Sequence, residues 1–170
     1  MGVAESKDIA FLIDFGITKQ YRHPSSRIHI PMKEYRHLVG TPAFTSINSH
    51  LGNELSRRDD LEALAYTLMF LFSGTLPWLT QNCRGLSIRL SKEALGTKCP
   101  PDVPRELFSF LTYTRSLSFK QKPDYDFLRG ILLSATSSLV IVKKEAQVIR
   151  VVENGNSSSN EVCDTDTPQT

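Results

Sequence analysis

The 170-residue chain has no run of about 18 apolar residues, so no segment has the length and hydropathy of a membrane span. Its opening, MGVAESKDIA, lacks the cationic stretch and apolar core of a secretory signal. Glycine and proline number nine each, which excludes collagen-like and low-complexity architectures. Cysteine is scarce. Cys83, Cys99 and Cys163 are far apart, form no CxxC pair, and make no metal-ligand cluster with the four histidines. They read as free thiols in a reducing compartment, with a cytoplasmic or nuclear location expected. No internal repeat is present.

What is there fits one ordinary globular domain or a piece of a larger one: 40% hydrophobic residues and 22% charged. The net charge of +2 hides an asymmetry. Residues 153–170 carry four acids and no Lys or Arg, leaving the first 152 residues with twenty cations against fourteen anions, or +6. A basic body favours anionic partners.

Residues 9–13, IAFLI, have the composition of a short buried strand and end at Asp14-Phe15-Gly16. Residues 17–55 show no sustained period and contain Pro24, Pro31, Pro42, Gly40 and Gly52, which predicts a long structured loop. Ser56 and Asp59 stand at capping-box spacing before a run of apolar residues with helical period, Leu61 to Phe72. That helix is apolar nearly all round, which predicts burial, and Gly74 and Pro77 end it. A second helix is expected from Asp102 to about Leu117 and a third from Asp124, with Phe127, Leu128, Ile131 and Leu132 as its stripe. Residues 139–152 are β-branched and can pair as a hairpin. Residues 153–170 are polar and acidic, the composition of a disordered tail.

The chemistry-bearing motif is Asp14-Phe15-Gly16 after an apolar run. A carboxylate there suits a hard cation such as Mg²⁺, and Gly16 lets the backbone turn. Gly40-Thr41-Pro42 follows at the spacing of an activation segment. Ser46-Ile47-Asn48 and the stretch Ser56 to Leu64 come next.

With His29-Ile30-Pro31, His50-Leu51-Gly52, Leu76-Pro77-Trp78 and Lys122 to Arg129, these motifs closely resemble the casein kinase 1 family of Ser/Thr protein kinases. The resemblance covers about residues 9–130 and fades over 81–101. It implies a mainly helical, kinase-like C-terminal lobe over residues 1–130, followed by a non-family segment, 131–152, and the tail. It implies ATP and Mg²⁺ as cofactors and protein substrates phosphorylated on Ser or Thr. Nucleic acid and a membrane span are not expected. Asp14 would be the Mg²⁺ ligand and Phe15 the switch residue. Residues 17–47 would form the activation segment and the floor of the peptide-substrate groove, with Phe15, Gly16, Gly40 and Thr41 as activation-segment residues and Thr41 near the catalytic centre. Arg36, Ser46 and Asn48 would bind substrate. Asp60 would anchor the catalytic loop, Arg129 would be a structural anchor, and Trp78 would pack the lobe.

The sequence also departs from the family. No His-Arg-Asp loop and no Gly-rich phosphate loop occurs in it, and only 13 residues precede Asp14, so the catalytic Asp is missing. Phosphoryl transfer is positioning plus charge stabilisation, and one carboxylate cannot hold Mg·ATP. The chain is therefore expected to be an inactive fragment of a kinase. The alternatives are a non-catalytic, pseudokinase-type scaffold and a basic nucleic-acid-binding module. Ala43 stands where the family has an Arg that binds an acidic or phosphorylated group on the substrate; Arg36 keeps a cation in that loop. Residues 131–170 read as intron or frame-shifted translation, or as a genuine variant end whose Ser157, Ser158, Ser159, Thr165 and Thr167 offer phosphorylation sites. Met1-Gly2 with Ser6 fits a myristoylation pattern only loosely.

Overall fold

The computed structural model describes residues 11–34, 37–80, 85–96 and 99–137. Among them the architecture is mainly helical, with pairing between extended segments confined to two isolated antiparallel bridges, Arg22 with His29 and Glu34 with Asn53. The helices are α1 (Ile47–His50), α2 (Arg57–Ser73), α3 (Pro77–Thr80), α4 (Leu86–Leu95) and α5 (Arg105–Ser116), then α6 over residues 125–137. The chain divides after Asp124 into two compact units.

Helix α2 is the axis of the first unit. The Ser56 N–H donates to Asp59 Oδ2 at 2.8 Å, the reach-back half of a capping box. Gly74 ends the helix in the left-handed region at φ 75°, with its N–H on the Phe70 carbonyl. The helix is buried along one stripe only: Glu62, Ala65, Tyr66 and Met69. Leu64, Leu71 and Phe72 stay exposed, so the expectation of a helix buried all round is corrected. The stripe packs on α5, whose Leu107, Phe110, Leu111 and Thr114 turn inward at matching helical spacing. Leu76, Trp78 and Leu117 complete the core. Trp78 packs edge-on to Tyr66 and donates Nε1–H to the Ala43 carbonyl at 2.9 Å, so it fills the interior.

Two further differences have physical causes. The apolar stretch before Asp14 is not a buried strand: Phe11, Leu12 and Ile13 are 59%, 83% and 77% exposed. A strand needs a ladder neighbour, and no described segment pairs with this one. The helix expected from Asp102 begins at Arg105, because Pro104 holds an extended ψ of 138° at its N-cap. In the second unit, α6 continues through residues 131–137, so the start of the non-family segment is helical. The hairpin expected at 139–152 and the tail at 153–170 lie outside the described residues.

Candidate functional site

A cleft of about 680 Å³ opens between the 17–21 and 37–46 stretches and the first turns of α2. Its wall includes Tyr21, Gly40, Thr41, Ser46, Arg57, Asp59 and Asp60. The two adjacent acids at the head of α2 have different fates. Asp59 is buried and fully used: Oδ2 accepts from Ser56 N, Oδ1 accepts from Asn48 Nδ2 at 2.9 Å, and Arg58 Nε lies 3.6 Å from Oδ2. Asp60 makes no side-chain hydrogen bond or ion pair among the described residues. Loss of solvent on the cleft wall raises its pKa, and the neighbouring Asp59 carboxylate raises it further.

The 39–49 loop is held from inside by hydroxyls. Ser49 Oγ and Thr45 Oγ1 both donate to the Val39 carbonyl, at 2.7 and 2.8 Å, and Ser46 Oγ accepts from Ser49 N as the N-cap of α1. The Thr41 carbonyl accepts from the N–H groups of Phe44 and Thr45. Gly40 sits at φ 92°, a conformation that favours glycine. Ser46 and Asn48, expected to meet substrate, therefore use their polar groups to shape the loop. Asp14 is exposed at φ 60°, and its Oδ1 accepts from Gly16 N at 3.2 Å, a local turn. Phe15 is exposed instead of packed beneath it. Among the described residues Arg129 pairs with Asp126, on the surface of α6 at 2.7 Å, an arrangement worth little in water. Arg36 lies outside the described residues.

Mg²⁺ keeps several waters and is usually held by one or two carboxylates with substrate phosphates. Asp14 supplies one carboxylate, and no group of three or more His, Cys, Asp or Glu gathers among the described residues.

The residues that most firmly fix the loop were invisible to sequence reading. Lys92, on α4, is fully buried, and its Nζ donates to the carbonyls of Pro42 and Thr45 at 2.7 and 2.6 Å. It lies 3.1 Å from His50 Nε2 and sits over the rings of Tyr66 and Trp78. Burial lowers its pKa to about 7, with Arg115 adding to the effect and Glu62 opposing it. Burial and the Lys92 charge also lower His50. Beside it, Glu62 Oε1 accepts from Tyr66 Oη at 2.6 Å and from Arg115 Nε and Ile47 N, each at 3.3 Å. Arg115 Nη2 reaches Tyr66 Oη and the Lys92 carbonyl at 2.6 and 2.7 Å. Burial holds the Tyr66 phenol far above its usual range, so it stays protonated.

No family model matches the chain.

Proposed function

We propose that the chain is the activation-segment and helical-lobe portion of a casein kinase 1-like Ser/Thr protein kinase, a unit that receives protein substrates and, as these 170 residues alone, transfers no phosphate. The reading comes from the motifs between Asp14 and Arg129. One observation supports it above the others: Asp60, exposed at the head of a well-packed helix on the wall of a cleft of about 680 Å³, makes no side-chain hydrogen bond or ion pair among the described residues. An acid whose purpose is to cap its own helix would look like Asp59, which caps and is buried.

On this reading the 39–46 loop, fixed by Ser49, Thr45 and Lys92, forms a rigid floor for an extended peptide. Rigid placement is what phosphoryl transfer demands of the protein.

The test joins residues 9–137 to an ATP-binding lobe and catalytic loop taken from a complete member of that family. The chimera should phosphorylate an acidic Ser peptide with Mg·ATP, lose this on Asp14→Asn, and lose most of it on Asp60→Ala. A folded chimera without transfer would sink the reading, as would transfer indifferent to Asp14.

A further inference from the structure

Residues 21–30, the start of α2 and the 117–120 turn bring three arginines and a histidine around two aromatic rings. Arg22 Cζ and Arg57 Cζ lie 5.6 and 4.6 Å from the centroid of the Tyr21 ring. The His29 ring stands 5.6 Å from Tyr21 and 4.8 Å from Phe119, and Arg58 lies 5.9 Å over Phe119.

The charge here is unbalanced. Neither Arg22 nor Arg57 has a carboxylate partner among the described residues. The nearby acids do not compensate: Asp59 is committed to Arg58, Asn48 and Ser56, and Asp60, one turn on from Arg57, makes no pair with it. Two guanidinium groups gathered on one ring repel each other unless an anion joins them.

The hydrogen bonding is unbalanced too. Arg22 Nε, Arg57 Nε and His29 Nε2 are buried and have no partner. His29 Nδ1 lies 2.9 Å from the Ile30 carbonyl, which places the ring proton on Nδ1 and leaves Nε2 bare. Arg57 spends one N–H group, Nη2, on the Lys120 carbonyl at 2.9 Å. Arg22 Nε–H and Arg57 Nε–H are thus buried donors without acceptors among the described residues; such groups are rare in folded proteins, and each calls for an explanation. Tyr21 and Arg57 also line the cleft, which gives a ligand a way in.

We propose that Arg22 and Arg57, walled by Tyr21, His29 and Phe119, form a binding site for a phosphate group. Phosphate carries one to two negative charges and enough acceptor oxygens to meet two guanidinium forks at once, where a single carboxylate has only two oxygens and one charge. The site needs neither ATP nor catalysis, so it does not rest on the kinase reading. Its phosphate could arrive as the free ion or on a phosphoserine side chain; both present the same chemistry.

The experiment follows the Arg Nε–Hε resonances of the full ¹⁵N-labelled chain. Four titrations are compared: inorganic phosphate, a phosphoserine peptide, its unphosphorylated counterpart, and chloride at matched ionic strength. The Arg22 and Arg57 signals should move saturably with phosphate. Arg22→Gln should weaken binding by roughly tenfold or more, the size of one or more charge-assisted hydrogen bonds. Arg22 makes no side-chain hydrogen bond that the fold would miss, and Arg105→Gln, at the exposed start of α5, should change nothing. Tighter binding of the phosphopeptide assigns the site to protein-borne phosphate, and tighter binding of the free ion assigns it to inorganic phosphate. Equal binding of the unphosphorylated peptide, the same shifts with chloride, or unchanged affinity in Arg22→Gln would overturn the proposal.

Discussion

Lys92 ends on two carbonyls, and both of its protonation states can satisfy them. The ammonium donates to Pro42 and Thr45 and points a third N–H at His50; the neutral amine still has two N–H groups for the two carbonyls. Tyr66, Glu62, Arg115, Arg89 and His50 are the titratable or charged groups around the pair it forms with His50. Burial holds its folded pKa at about 7, against the ordinary lysine value of 10.5. Between those values the unfolded chain binds more protons, so stability should rise as pH climbs from about 7 towards 10. His50, lowered from 6.5, adds a slope of the same sign below neutrality. Urea unfolding across this range checks the direction; a flat or falling profile would count against it. Lys92→Met should flatten the slope and cost about 2 kcal/mol, because the buried Thr45 carbonyl loses its donor, while the Pro42 carbonyl keeps His50 Nε2 at 3.1 Å. Arg115→Met strands the buried Glu62 carboxylate and should cost more, about 3–5 kcal/mol.

At the level of elements, α2 depends on its ends. Gly74 sits at φ 75° with open space where a Cβ would go, so Gly74→Ala meets only backbone strain. It should lower stability by about 1 kcal/mol, read as a shift in urea midpoint at constant m. The same helix shows what the sequence can and cannot disclose. Its period, its acid at the capping-box position and its glycine stop were all legible, because each is a local property. Which face would be buried was not, since leucines recur on every side and only the partner helix selects Ala65, Tyr66 and Met69. Helix α4 was missed for a related reason. Its inward stripe is Ile88, Lys92 and Leu95, and a lysine in the middle reads as a solvent face. The candidate site divides in the same way. Asp60 was singled out only by the family resemblance, whereas the Glu62–Arg115 pair spans 53 positions and the Lys92 tie to Thr45 spans 47. No local pattern encodes such contacts.

For the whole molecule, residues 11–17 are the exposed liability. Phe11, Leu12, Ile13, Phe15 and Ile17 all face solvent, and Leu71 and Phe72 add to the apolar surface on α2. Contiguous exposed apolar surface drives association. Replacing Phe11, Leu12 and Ile13 together with Ser should raise soluble yield and lower binding of an apolar dye, with the melting temperature unchanged because the three make no core. A large drop in melting temperature would show that they are packed after all. One contact inside the molecule has a practical side. Trp78 is the sole tryptophan of the chain, and its indole N–H is bonded to the loop at Ala43 while its ring lies beneath Lys92. Its emission is thus a built-in optical reporter for one place, the seat of the 42–46 loop. A red shift would signal that loop lifting away, with no label attached.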